Sequence, residues 1–324
     1  MMTTIRTVSV LPLLLLVLFR PCRAEDIPVR WEDRTVADGV VYHEFLGVEP
    51  VSGDHQFVHV VEIDPGKGYR LAVDYDADSP HVASEIHRKH NAIVTINAGY
   101  EGEAIFIKSA GRVMRDIQCD TIPTPGHVPN WKNDGALCLS PDGIPVILNT
   151  MLWPEAGVSA YGLAVSIQRE FFRNNPCLDA FPDIISSAPL LIDDYNPVGE
   201  SFVSVPPEVF TSLEYENPQR HQGVRHPRTA VALKADGHIL LIVVDGRQKG
   251  ICEGFSAKEL TRFLAVNFNP QYALNLDGGG SSTMCIRGLG HPATHVVNYP
   301  SDNRSADHDG ERALLSFIFV TGAD

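Results

Sequence analysis

Basic residues are scarce in this sequence: 26 lysines and arginines face 40 aspartates and glutamates, for a formal net charge of −14. An acidic chain repels the phosphate backbone that supplies most nucleic-acid affinity, so no nucleic-acid partner is expected. Long apolar runs are missing too. The longest, residues 8–19, falls short of the roughly 20 residues a membrane-spanning helix needs, so no integral membrane segment is expected. None of the six cysteines stands in a Cys-x-x-Cys pair, which removes the commonest zinc-ligand spacing. Internal repeats are absent, and the single run of three glycines lacks the Lys that a Walker loop requires.

What is present begins with a leader pattern. Arg6 precedes the apolar run 8–19, and Ala24 supplies a small residue for cleavage, so residues 1–24 read as a signal peptide and the protein as secreted or periplasmic. Cys22 raises a lipoprotein alternative, but Arg20 and Pro21 stand where small residues belong. Cleavage would remove Arg6, Arg20 and Arg23 and no acid, taking the net charge from −14 to −17. Cys119, Cys138, Cys177, Cys252 and Cys285 then remain; one or two disulfides with a leftover thiol, or buried free thiols, are both open. The sequence says nothing of oligomeric state.

Short β-rich runs alternate with turns and a few helical stretches, which indicates an α+β (mixed α/β) fold: one large domain with a central mixed, largely antiparallel sheet and flanking helices. Residues 25–91 are expected as strands and a helix packed on a main domain of 92–324. Runs 58–63 and 70–75 read as a hairpin through 64–68. A helix capped by Ser79, with Pro80 in its first turn, follows, and 92–96 reads as a buried strand. Runs 229–234 and 239–244 form the clearest hairpin, around Ala235-Asp236-Gly237-His238. Ser256 and Glu259 form a capping box, and Leu260, Phe263, Leu264 and Phe268 give the helix they open one apolar face, ended by Asn269-Pro270. Residues 272–276 and 314–320 are further strands. The proline-rich stretch 119–224 lacks periodicity and reads as an irregular insertion.

Four polar clusters stand at the ends of expected strands, where rigid backbone can hold side chains in fixed geometry. They are Asn97-Ala98-Gly99-Tyr100, Arg225-His226-Pro227-Arg228-Thr229, Asp245-Gly246-Arg247, and Asn275-Leu276-Asp277-Gly278-Gly279-Gly280-Ser281-Ser282-Thr283. Consecutive glycines permit a sharp turn and a nest of N–H donors for an anion; alone, they equally make a tight β-turn. Ser281 and Ser282 lack a Gly-x-Ser-x-Gly frame, yet a serine nucleophile with His226 as base stays open, as does a non-catalytic phosphosugar- or cell-wall-binding module. Bland readings compete elsewhere: Arg228 as an ion pair with Asp245 or Asp277, Asn97 as a strand-end cap, Glu311 and Arg312 as a surface salt bridge. No metal is expected unless Asp245 and Asp277 converge to hold Ca2+.

Together with Val297-Asn298, Ser301-Asp302-Asn303 and Glu311-Arg312, these clusters resemble, in order and wording, the phosphodiester glycosidase family over residues 92–320. One departure is Glu101-Gly102-Glu103, where family members usually carry an aromatic residue after the tyrosine. The resemblance implies hydrolysis of a sugar phosphodiester, N-acetylglucosamine-type among the candidates, into free sugar and phosphomonoester, with no cofactor. It implies Asp277, Glu311 and Asp245 as catalytic carboxylates. Substrate would be bound by Asn97, Arg228, Thr229, Arg247, Gly278, Gly279, Gly280, Ser281, Ser282, Asn298 and Arg312. The chemistry is coherent, because a phosphomonoester of pKa ~6 leaves with little protonation and captured phosphate charge replaces part of a general acid's work.

Overall fold

In the computed structural model, residues 30–101, 105–117, 131–150 and 170–322 are described; the expected leader, with Cys22, and Cys119 lie outside them. The strongest β-forming runs in the sequence become the middle of a seven-stranded sheet. Its order is β1 (Arg30–Ala37), β2 (Val40–Glu49), β3 (Asp54–Ile63), β13 (Ile239–Val244), β12 (Arg228–Leu233), β14 (Tyr272–Asn275) and β11 (Leu190–Ile192). Every residue of β13 is buried, as are five of the six in β12, which is why these runs show no polar alternation. The β12–β13 hairpin pairs Arg228 with Val244 through to Leu233 with Ile239. Gly237 closes it at φ 90°, donating its N–H to Lys234 O at 3.0 Å.

A four-stranded sheet runs β15 (Met284–Ile286), β5 (Val94–Asn97), β16 (Ser316–Thr321), β4 (Arg70–Tyr75). A five-stranded one runs β7 (Arg112–Arg115), β6 (Ile107–Ser109), β10 (Asp183–Ser187), β8 (Gly135–Leu139), β9 (Pro145–Asn149). One apolar core lies where the three meet, with Val61 and Leu241 from the first sheet, Ile96 and Ile318 from the second, and Leu137 and Ile185 from the third. The opposite face of the seven-stranded sheet is covered by a helix at Ala257–Asn267, whose Leu260, Phe263 and Leu264 pack on Val60, Ala232 and Ile242. Its capping box forms as the sequence requires: Ser256 Oγ accepts from Glu259 N, and the Glu259 carboxylate accepts from Ser256 N at 2.9 Å.

The fold is the expected single α+β domain, built of three sheets whose strand pairings among the described residues are antiparallel. Four expectations need correction. Runs 58–63 and 70–75 are strands but not a hairpin: β3 pairs with β13, whereas β4 pairs with β16 in another sheet. The connection contains a 3-10 turn, Pro65–Lys67, and Gly68 at φ 87°, and carries the chain between layers. The first helix, α1, spans Ala83–Lys89 and begins after Val82 rather than Ser79. His81 exchanges both backbone hydrogen bonds with Leu314, at 2.7 and 2.8 Å, and so cannot enter a helix. Finally, the stretch 119–224 supplies strands β8 to β11 and a short helix α2 (Pro218–Gly223), capped by Asn217; the helix at Ala257–Asn267 is therefore α3. Among the described residues of the stretch 25–91, β1 to β3 extend the main sheet rather than packing on it from outside.

Cys138, Cys252 and Cys285 are buried free thiols and Cys177 an exposed one. No described helix is long and apolar enough to cross a membrane. Phe263 is 1% exposed, with its ring 5.3 Å from that of Phe255 and 6.0 Å from that of Trp31. Phe263→Ala should destabilise the fold by about 3–5 kcal/mol, read as a lower midpoint in urea unfolding; an unchanged midpoint would contradict the packing.

Candidate active site

The glycine loop leaves the end of β14, and its position is set by one buried amide. Asn97, at the end of β5 and fully buried, donates from Nδ2 to Asp277 O at 2.8 Å. Its Oδ1 accepts from Thr229 Oγ1 at 2.8 Å and from Thr283 N at 3.2 Å. Asp277 N adds a bond to Ala98 O at 3.0 Å. Residues from β5, β12 and both ends of the loop are thereby fixed to one another, and Asn97 and Thr229 lie beneath the cleft rather than in its wall. A second buried layer continues this footing. Asn298 donates to Ser282 O at 3.0 Å and to Asp245 Oδ1 at 2.9 Å, while Asp245 Oδ2 meets His59 Nε2 at 3.1 Å and Tyr299 N at 2.9 Å. Ser282 is held here too, its Oγ lying 3.2 Å from Thr229 Oγ1, whose single proton goes to Asn97 Oδ1.

The three glycines have distinct steric reasons. A Cβ at Gly278 would stand 2.7 Å from Pro227 O, and one at Gly279, whose φ is +66°, would stand 2.8 Å from Arg247 Nη2. At Gly280 it would strike the guanidinium of Arg312. The run is therefore bare so that it can pack on the Pro227 backbone and let two guanidinium groups lie against it. Its amides are less available than a nest would need: Gly279 N donates to Pro227 O at 2.8 Å, and Gly278 N to the Asp277 carboxylate at 2.9 Å.

A cleft of about 280 Å³ opens above the loop. Asp277, Gly278 to Gly280 and Ser281 form its floor, and Arg228, Arg247 and Arg312 its cationic side. Arg247, exposed and at φ 63°, has its guanidinium against the loop, and Arg312 pairs with Asp302 and reaches toward Ser281 Oγ at 3.5 Å. Arg228 differs. It is 1% exposed, and its fork is spent on neutral acceptors: Phe255 O at 2.8 Å, Val224 O at 2.9 Å and Gln222 Oε1 at 2.6 Å. No ion pair to Asp245 or Asp277 forms, so Arg228 gives the cleft a positive field while ordering the C-terminal turn of α2, whose carbonyls suit a cation. Burial pulls its pKa down to about 10, which leaves it charged at neutral pH.

Asp277 is half-buried, and desolvation raises its pKa to about 6 against the opposing pull of Ser281, Lys132, Gly278 N and Arg312. The stretch 119–224 adds Lys132, Tyr215, Glu216 and His221 to the lining, which also includes Glu101, Tyr100 and His226. Lys132 Nζ pairs with Glu216 at 3.1 Å and lies 5.0 Å from the Tyr100 ring centroid. Burial and the nearby cations Arg228, Lys132 and Arg247 hold His221 down at about 3; burial, Arg228, Arg247 and His221 hold His226 at about 2. Both rings are thus neutral, and the positive charge of the cleft comes from arginine and lysine.

The expected carboxylates separate. Asp277 faces the cleft; Asp245, 0% exposed, faces protein donors with both oxygens. Glu311 does not join them: its carboxylate accepts from Ser84 N at 2.9 Å and Ser84 Oγ at 2.6 Å, at the first turn of α1. Of these two neighbours in the chain, Glu311 is taken up by Ser84 and only Arg312 lines the cleft. Both Asp245 oxygens are taken up by Asn298, His59 and the Tyr299 amide, and among the described residues no group of three or more His, Cys, Asp and Glu side chains is arranged for a metal. Neither Ser281 nor Ser282 bonds to a histidine nitrogen among the described residues, which removes the geometry of a serine–histidine pair. Lys132, Tyr215, Glu216 and His221 escape sequence reasoning because no periodicity or motif marks them.

Comparison with known proteins bears on the fold and on the family. No curated protein matches the chain. Among solved structures, the catalytic domain of zebrafish N-acetylglucosamine-1-phosphodiester alpha-N-acetylglucosaminidase, auto-inhibited by its pro-peptide, is similar at TM-score 0.56 and 18% identity, over 92% of this chain and 89% of that one. A protein of unassigned function from Synechocystis matches at TM-score 0.56 and 16% identity, over 92% of this chain and 64% of that one. A protein described as exported, from Burkholderia pseudomallei K96243, matches at TM-score 0.55 and 16% identity, over 85% and 75%. At these identities the three establish a shared fold. The phosphodiester glycosidase family model matches residues 90–321. With the five motifs in order and well over half of the sequence covered, the chain belongs to the phosphodiester glycosidase family.

Proposed function

We propose that this protein hydrolyses a glycosyl phosphodiester, with an N-acetylglucosamine-type sugar among the substrates to test first, releasing free sugar and a phosphomonoester outside the cytoplasm. One observation carries the reading: a single half-buried carboxylate, Asp277, shares a small cleft with the guanidinium groups of Arg228, Arg247 and Arg312. In the reaction a water oxygen is added to the anomeric carbon, the bond from that carbon to the bridging oxygen breaks, and the phosphomonoester leaves with the electron pair. Arg247 and Arg312 grip the phosphate, and buried Arg228 adds a fixed charge. Such a leaving group has a pKa of ~6 and needs little protonation. Asp277 therefore acts ionised, taking the proton of the attacking water or bonding to the anomeric carbon; the configuration of the first-formed sugar distinguishes these.

Asp277→Asn should lower kcat on an N-acetylglucosamine-1-phosphate ester by ~10²–10⁴-fold while circular dichroism stays unchanged, the usual range for a lost acid–base group. Retention of wild-type turnover would remove Asp277 from the mechanism; calorimetric binding of the ester by wild type without product would instead favour a binding module. The folded-state pKa of about 6 lies above the unfolded value, so the stability tied to this group is fully present below pH ~4 and is lost as pH rises through about 6. Asp277→Asn is accordingly expected to raise Tm at pH 7.5, with the gain vanishing near pH 4. In the wild type kcat/KM should climb through pH ~6 on the acid side; a profile that falls there would assign the active form to the protonated acid. Arg247→Ala should reduce kcat/KM by ~10²-fold or more, and an intact value would displace it from the phosphate.

A further inference from the structure

Arg228 is a buried charge that the fold around it does not neutralise. It is 1% exposed, and the acceptors it meets among the described residues are uncharged: Phe255 O at 2.8 Å, Val224 O at 2.9 Å, Gln222 O at 3.3 Å, His221 O at 3.5 Å and the Gln222 side-chain oxygen at 2.6 Å. Glu259, the carboxylate whose charge acts on it, is already engaged by Arg225 at 2.6 Å and by Ser256 N at 2.9 Å. A buried charge without a counter-ion is costly, so its retention calls for a reason.

Gln222, 0% exposed on α2, is the side chain that answers this guanidinium, and its orientation is forced. The Tyr100 hydroxyl has one proton, which goes to Ala188 O at 3.0 Å. It therefore meets Gln222 Nε2, at 3.0 Å, as an acceptor, just as it accepts from Asn275 Nδ2 at 3.1 Å. The amide must turn its N–H donors toward Tyr100, and its oxygen is left for Arg228. Shape alone does not require an amide here. A glutamate has the same length, would meet Arg228 with a charge, and could take the Tyr100 proton, because Ala188 O keeps its bond from Asn275 Nδ2 at 2.9 Å. What the amide has and the acid lacks is neutrality. The uncancelled charge is felt in the cleft without contact: His221 and His226, both in the lining, are held neutral first by burial and next by Arg228.

We propose that Gln222 is a positioning residue that acts through Arg228: it holds the guanidinium with a neutral acceptor, so that the phosphate of the ligand, and not a carboxylate of the protein, supplies the counter-charge. This assignment rests on the glycosyl phosphodiester reading of the same cleft and adds a residue that no sequence motif marks. Gln222 itself touches no substrate; its effect is carried by the field of the buried cation.

The test compares wild type, Gln222→Glu and Gln222→Met by calorimetry with inorganic phosphate, by kcat and KM on an N-acetylglucosamine-1-phosphate ester, and by Tm. Gln222→Glu should bind phosphate about 10-fold or more weakly and lose kcat/KM to a similar degree, while its Tm stays at or above that of wild type, because the buried cation has gained a partner. Gln222→Met removes the hydrogen bond and adds no charge; it should lower Tm yet lose less phosphate affinity than Gln222→Glu. A residue that served the fold alone would give the reverse order, with affinity following Tm. That order, or a Gln222→Glu protein with wild-type phosphate affinity, would overturn the proposal. So would a Gln222→Glu protein that fails to fold or melts below wild type, since the amide would then be required by the packing and not by its neutrality. Failure of the underlying reading would look different: wild type would neither bind phosphate nor turn over the ester.

Discussion

The architecture of the cleft depends on a carboxamide that never meets solvent. Asn97 couples the four-stranded sheet to the seven-stranded one through Thr229 and to the two ends of the glycine loop through Asp277 O and Thr283 N. An amide of this kind is costly to bury and inexpensive once every group on it is matched, so its value lies in geometry. It fixes where the chain leaves β14 and hence where the Asp277 side chain stands. Asp245 and Asn298 repeat the device one layer deeper. Several polar residues of the family motifs thus support the loop from below, while Asp277, Arg247 and Arg312 face the cleft.

Charge is distributed against the composition. The chain as a whole carries −14, yet Lys132, Arg228, Arg247 and Arg312 gather around one opening. Four cations near Asp277 would be expected to hold it ionised to low pH, but burial outweighs them and leaves the carboxyl raised. The two histidines respond to the same burial and the same cations in the other direction and stay neutral. A site arranged in this way has a fixed field for an anion and a single group that titrates near the acid side of neutrality.

Legibility from sequence followed the range of the physical signal. The β12–β13 hairpin and α3 were readable because turn chemistry, capping and apolar spacing are local: Gly237, Ser256 and Glu259 each act within a few residues. The glycine loop was readable as a place, and its three glycines as a close approach, but not as room for Arg247 and Arg312. Partners of β3 and β4 were misjudged because pairing is decided by packing across the whole sheet. Lys132 and His221 were invisible for the same reason, being carried by a stretch of short strands and turns whose contacts are long-range. Glu311 shows the finest scale of the difficulty: its carboxylate is held at the first turn of α1, whereas the next residue, Arg312, lines the cleft.

The family match begins at residue 90, but the sheet does not. Strand β13, buried along its whole length, takes one of its two neighbours from β3, so the segment that carries the recognisable motifs lacks half of the hydrogen-bonding environment of its own central strand. Cut at the match boundary, the remainder would present a long, apolar, unpaired edge, the arrangement most prone to pair with another chain. The unit that folds is therefore larger than the unit that is recognised.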